Sequence, residues 1–272
     1  MDRIIDGEHA FAAGKLRVRR AQGVVAIVFD NPDKLNAMTL SMWQALGDVC
    51  TALATDESVR VLTLEGSGDR AFVVGADISE FGEIRNDAEN AAIYGTAVER
   101  AERAVEDMPV PTLALLRGYC IGGGLGIAMR CDLRLARDDA RFAITPAKLG
   151  LGYGFDGVAS LFQRLGHATS ADMLFSGRKL GADEALAKGV CDLVFPAESF
   201  DADCASYTGQ LALNAPLTIR AAKEALRTLA RPEAEQDCSV VDEMVRACFD
   251  SDDYAEGQRA FAEKRVPDFK GN

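Results

Sequence analysis

Histidine is scarce in this chain: His9 and His167 are the only two in 272 residues. A zinc site or a Ser-His-Asp triad needs histidine at a defined place. His9 falls in an N-terminal extension and His167 at a predicted helix end, so neither suggests a metal site or a triad. Basic charge is also in deficit. Forty-two acidic residues face 30 basic ones, a net charge of −12, which excludes nucleic acid as the main partner because phosphate binding needs a basic face. Local clusters such as Lys15–Arg20 ("KLRVRR") and Lys264–Arg265 remain open to a small polyanion. No CxxC pair occurs among Cys50, Cys120, Cys131, Cys191, Cys204, Cys238 and Cys248. Their odd number and apolar surroundings read as buried small hydrophobes in a reducing compartment. No apolar run approaches the roughly 20 residues that cross a bilayer, so no membrane partner is expected. "MDRIIDGEHAFAAGK" at the N-terminus lacks the uninterrupted apolar region of a signal peptide. The expectation is a cytoplasmic protein. No internal repeat or low-complexity linker is found.

At 48% hydrophobic and 26% charged residues, the chain has the composition of an ordinary globular protein, long enough for one large domain with a proper core. "VVAIVFD" (24–30), "VRVLTLEG" (59–66), "PTLALLRG" (111–118), "CDLRLARD" (131–138) and "VCDLVF" (190–195) read as buried strands. A helix is predicted within "TLSMWQALGDVCTALATD" (39–56), with Met42, Leu46, Val49 and Leu53 on one face and Thr39 as N-cap, and others over Ala88–Glu106, Gly123–Met129, Val158–Leu165 and Gly181–Lys188. Strands alternating with helices imply an α/β fold with parallel pairing. After Phe195 the pattern is helical, with Pro216 opening one segment and Pro232 separating two. The expected organisation is a β/α core over 1–197 and a helical subdomain over 198–272.

"GYCIGGGLG" (118–126) holds five glycines in nine residues, each costing about 1 kcal/mol against alanine within a regular element. Close helix–strand packing explains a single glycine more readily than three in a row. A dinucleotide fold is the second reading, because Gly66–Ala71 spells GxGxxA. That fingerprint should open an amphipathic helix, whereas the apolar, glycine-broken "AFVVGADISEF" follows. The third reading is an oxyanion site built from backbone N–H groups at a helix N-terminus. Gly75–Ala76 offers a second donor.

Five segments together resemble the crotonase, or enoyl-CoA hydratase/isomerase, superfamily nearly end to end: "DNPDKLNAMT" (30–39), "GSGDRAFVVGADISEF" (66–81), "GYCIGGGLGIAMRCDLRLA" (118–136), "APLTIRAAKEAL" (215–226) and "DYAEGQRAFAEKR" (253–265). The resemblance implies a spiral of ββα units with a C-terminal helical subdomain, assembling as a trimer or a dimer of trimers. It implies an acyl-CoA substrate and no cofactor beyond the CoA moiety itself. The N–H groups of Ala76 and Gly123 would hold a thioester oxygen as it becomes an enolate. Lys34, Leu35 and Ala37 would line the adenine end of CoA. Ala76, Asp77 and Ile78 would contact the pantetheine–thioester region beside Gly122 and Gly123, with Asp77 orienting its loop. Phe261 and Lys264 would reach a neighbouring subunit's CoA.

Hydratases of this family use two glutamates. Here the matching positions hold Gly126 and Pro146. "FAITPAKLGLGY" and "SDDYAEGQRAFAEKRVPDF" look most like the methylmalonyl-CoA decarboxylase branch, with Tyr153 matching its tyrosine. That branch carries histidine where this chain has Ala76. Decarboxylation makes an enolate by losing CO₂, without a base that removes a carbon-bound proton. Tyr153 and Asp156 are the candidate catalytic side chains. Each also has a structural reading, as a packed aromatic and as an N-cap of the helix near Val158. The alternatives are a hydratase or isomerase using Asp156 or Glu80, and a CoA-ester binder without chemistry. Phe81, Ile84, Tyr94 and Phe155 are candidate walls of the acyl pocket.

Overall fold

The computed structural model describes residues 4, 6–80 and 88–272, so Phe81 and Ile84 lie outside the described residues. Seven strands form the larger sheet: β1 (Gly7–Phe11), β2 (Leu16–Ala21), β3 (Val24–Phe29), β4 (Val61–Gly66), β6 (Thr112–Leu116), β8 (Leu133–Arg137) and β11 (Leu193–Phe195), side by side in that order. The smaller sheet has the order β10 (Leu180–Gly181), β9 (Arg141–Ala143), β7 (Tyr119–Ile121), β5 (Ala71–Val73). Strands β1 to β3 are antiparallel, and pairing from β3 through β4, β6, β8 and β11 is parallel.

Helices follow the strands: α1 (Leu40–Ala54), α2 (Ala88–Glu106), α3 (Gly123–Arg130), α4 (Pro146–Leu149), α5 (Phe155–Ser176) and α6 (Ala182–Ala187). Each turn of the chain lays one strand in each sheet and then a helix. β4 and β5 lead to α2, β6 and β7 to α3, and β8 and β9 to α4 and α5. The molecule is an α/β spiral of ββα turns. β4 and β6 are buried along their whole lengths, as expected of parallel strands covered on both faces. One face packs in the main core with Trp43, Phe29, Phe72 and Phe142. The other packs Val61, Leu113, Leu115 and Leu135 against Phe200 and Cys204 of α7 (Phe200–Leu213).

Helix α1 forms where its cap and spacing dictate. The Thr39 hydroxyl accepts the Met42 N–H at 3.2 Å, and Met42, Leu46, Val49 and Leu53 are buried on one face. The C-terminal helices α8 (Pro216–Leu229), α9 (Cys238–Phe249) and α10 (Asp252–Glu263) complete the chain. Buried Lys223 ties α8 to the core, donating to the Val110 carbonyl at 2.7 Å and the Asp132 carboxylate at 2.6 Å. Among the described residues no helix is long and apolar enough to cross a membrane. Five cysteines are buried and all seven are free; Cys238 is exposed and Cys248 half-buried.

Two expectations need correction. Helix α5 begins at Phe155, three residues before the expected Val158, breaks at Gly166 directly after the expected end at Leu165, and continues as a second stretch to Ser176. Its N-cap is Gly154, so Asp156 sits inside the first turn and caps nothing. "KLRVRR" is strand β2, and its arginines are committed. Arg17 pairs with Glu8 and Asp30, Arg19 with Glu65, and buried Arg20 with Asp56. Charge already neutralised in this way leaves no anion site there. The strand is not evident from the sequence because alternating Arg and apolar residues resemble a basic cluster as much as a strand.

Candidate active site

The two glycine segments meet at the ends of β5 and β7. Met38 bridges to Ala76, its N–H donating to the Gly75 carbonyl and its carbonyl accepting the Asp77 N–H, both at 2.8 Å. This parallel pattern uses the groups on either side of Ala76 and turns the Ala76 N–H away from Met38. Gly123 opens α3, where the first N–H groups have no partner within the helix. Among the described residues, neither the Ala76 nor the Gly123 N–H donates to another backbone carbonyl. A side chain on Gly75 would stand 3.6 Å from the Gly123 nitrogen, so the two donors come from adjoining backbone.

The consecutive glycines serve different ends. Gly122 has φ +56° and ψ −121°, a conformation open to glycine. Gly123 stands beside Gly75 and the Trp43 ring, whose Nε1 donates to the Tyr94 hydroxyl at 2.7 Å. Gly124 is a packing glycine: a Cβ there would lie 2.2 Å from the Val73 carbonyl oxygen. The close-packing reading of this run therefore holds at Gly124, and Gly123 carries a backbone N–H without a backbone acceptor among the described residues.

A cavity of 330 Å³ opens at these donors. Gly75, Ala76, Gly122 and Gly123 form one wall and Trp43 and Tyr94 are part of its lining. Glu99 and Glu102 of α2, Tyr153, and Asp156 of α5 supply further, side-chain lining. Pro146 lines the cavity as well. Tyr153 thus joins the predicted backbone donors, and burial, followed by the nearby Glu102 charge, pushes its hydroxyl well above the usual phenol range. Asp156 is exposed. Phe155, expected as a wall, is 85% exposed and does not line the cavity.

Glu102 went unnoticed in the sequence. It is a buried carboxyl whose Oε1 lies 2.6 Å from where a Cβ on Gly126 would be, with the Tyr153 hydroxyl 3.7 Å from the same point. Its Oε2 accepts from Arg130 Nε at 3.3 Å, and Arg130 Nη1 donates to Glu106 at 2.8 Å. Burial raises the Glu102 pKa and outweighs the opposing pull of Arg130. The available signal was Glu99, Glu102 and Glu106, an acidic stripe on one face of α2. An acid sought at the end of the glycine motif is not looked for on a helix that precedes it.

The remaining predicted residues divide. Ile78 is 72% exposed at the cavity lining. Lys34 reaches across to Asp77 at 2.7 Å and to Ser79 at 2.6 Å. Burial would raise the Asp77 carboxyl, but Lys34 and Ser79 hold it below the usual range. Asp77 also accepts the Ser79 N–H at 3.1 Å, consistent with a loop-ordering role. Leu35 is left-handed at φ +52°, and Ala37 is buried. Glu80 does not line the cavity; it accepts the Leu40 N–H at the start of α1 at 3.0 Å. That placement removes it as a candidate base. Phe261 is 88% exposed on α10 and Lys264 caps that helix, and neither lines the cavity.

Comparison with known proteins places this geometry. A family model described as enoyl-CoA hydratase/isomerase matches residues 19–272. A crotonyl-CoA hydratase of Syntrophomonas wolfei is 28% identical over 252 residues, covering 93% of this chain and 96% of the relative. A carnitinyl-CoA dehydratase of Proteus mirabilis is 32% identical, covering 91% and 95%. The crystal structure of an enoyl-CoA hydratase/carnithine racemase from Magnetospirillum magneticum superposes with a TM-score of 0.89 at 33% identity, covering 96% and 97%.

Proposed function

The chain belongs to the enoyl-CoA hydratase/isomerase family, which acts on acyl-CoA thioesters, and from that premise we propose that its own reaction is decarboxylation of an acyl-CoA through a thioester enolate. One observation carries the reading. The cavity joins the Ala76 and Gly123 donors to Pro146, and neither Pro146 nor Gly126, the two positions matched to the hydratase glutamates, bears an acid. Hydration needs one group to activate water and another to protonate carbon. Loss of CO₂ generates the enolate directly. The C–C bond breaks, its electron pair passes into the thioester, and the oxygen gains charge between the two N–H groups. One such donor contributes roughly 3–4 kcal/mol of transition-state stabilisation. The hydroxyl of half-buried Tyr153 would orient the departing carboxylate.

CoA would run from Ala76, Asp77 and Ile78 toward Lys34, Leu35 and Ala37, with Phe261 and Lys264 contributed by a neighbouring copy in a trimer or a dimer of trimers. Residues 198–272 would form the assembling subdomain. No cofactor other than the CoA moiety of the substrate is required. A hydratase or isomerase is the second reading, favoured by the presence of both Glu102 and Asp156 on the cavity wall and by the names of the relatives. A mass-spectrometric screen decides between them. Conversion of methylmalonyl- or ethylmalonyl-CoA with slow turnover of crotonyl-CoA supports decarboxylation. Efficient crotonyl-CoA hydration restores the hydratase assignment, and binding of every ester without turnover points to a silent binder.

A further inference from the structure

The place a Cβ would take on Gly126 is not empty. Helix α2 fills it from the side with Glu102, whose Oε1 stands 2.6 Å from where a Cβ on Gly126 would be. No side chain could be added at 126 without Glu102 shifting. Arg130 holds the other oxygen, and Arg130 is itself shared with Glu106. The pair fixes the rotamer of a flexible side chain and leaves Oε1 near the Tyr153 hydroxyl, with Glu102 lining the same cavity as Gly122 and Gly123.

We propose that Glu102 is the catalytic residue that exchanges a proton with the α-carbon of the bound thioester, taking over from α2 the duty that a carboxyl on α3 would have had. The inference rests on the acyl-CoA reading of the cavity. After CO₂ leaves, the enolate electron pair forms a new C–H bond with the proton of Glu102, the thioester C=O re-forms, and the carboxylate left behind is reprotonated from water. In reverse, the carboxylate removes an α-proton and the C–H electrons move to the oxygen held by Ala76 and Gly123. Both directions need a carboxyl that can give and take a proton. The charged and titratable groups around it are Glu99 and Glu106 on its own helix, Arg130 on α3, Tyr153, and Asp156 on α5. Burial among them favours the neutral acid.

The test uses butyryl-CoA, which has α-protons and no carboxylate to lose. Binding is followed by calorimetry and α-deuterium uptake in D₂O by mass spectrometry. The wild-type protein should bind and exchange. Glu102→Gln should bind within a few-fold of wild type and exchange about 10²–10⁴-fold more slowly. The double variant Glu102→Ala/Gly126→Glu should regain part of the exchange that Glu102→Ala alone loses, because the carboxyl returns from α3; a side chain that merely supports the fold would not be rescued this way. Wild-type exchange that survives Glu102→Gln overturns the proposal, as does a wild-type protein that binds butyryl-CoA and exchanges nothing. Failure to bind butyryl-CoA overturns the acyl-CoA reading itself.

Discussion

The two walls of the cavity are built by opposite means. One is backbone. The Met38–Ala76 bridge and the start of α3 aim N–H groups that no side-chain change can move without moving the chain. The other is side chain, with Glu102, Tyr153 and Asp156 arriving from α2, the loop after α4, and α5. A backbone wall is preorganised and costs no rotamer entropy. A side-chain wall can be rearranged within the same fold, so a carboxyl lost from one helix can be supplied by another. The fixed wall suits charge that develops at one oxygen of a bound thioester. The variable wall suits proton traffic and substrate choice.

Two glycines of α3 separate the walls most sharply. Gly124→Ala would drive a Cβ to 2.2 Å from the Val73 carbonyl, a backbone atom that cannot yield. A loss of about 3 kcal/mol is expected, read as a lower denaturant midpoint with unchanged slope. Gly126→Ala meets the end of a side chain instead, Glu102 Oε1 at 2.6 Å. The gain in helix propensity, about 1 kcal/mol, offsets most of that crowding, so stability should hardly move while turnover falls as Glu102 is displaced. Equal stability loss in both variants would erase the distinction.

Tyr153→Phe sharpens the side-chain wall alone. A decarboxylase activity should fall by about tenfold or more, the loss expected for one buried hydrogen bond to a charged group, with acyl-CoA affinity nearly unchanged by calorimetry. A smaller effect is expected at the loop behind the backbone wall. The Asp77 pKa is depressed in the fold relative to about 3.9 when unfolded. Its contribution to stability is therefore fully present above that value and is lost as pH falls through the lower folded one. Lys34→Met should reduce this acid-dependent loss. At neutral pH it should cost at most about 1 kcal/mol because Lys34 is 45% exposed. Parallel stability–pH curves of the two proteins between pH 2 and 7 would contradict the pairing.

The backbone wall was legible in the sequence because its requirements are local. A glycine at a left-handed φ, a strand end and a helix start lie within a few residues of one another, as at Gly75–Ala76 and Gly122–Gly123. Strands β3, β4, β6 and β8 were legible for the same reason, being apolar runs that need no partner to be recognised. Glu102 was not, because its role comes from the packing of α2 over α3, and nothing in "VERAERAVE" states which of its acids faces the cavity. The short strands β5, β7, β9 and β10 were missed likewise; two or three residues carry no periodicity, and a second sheet exists only through pairing between distant segments.

The central claim is that this cavity holds a thioester oxygen between the N–H groups of Ala76 and Gly123. The infrared difference spectrum of butyryl-CoA labelled with ¹³C at the thioester carbonyl reports that contact directly. Two aligned donors withdraw electron density from the C=O bond, so its stretching band should move to lower wavenumber on binding. It should do so equally in wild type and Glu102→Gln, since the donors are backbone. A bound thioester whose carbonyl band stays at its free-solution position would contradict the account.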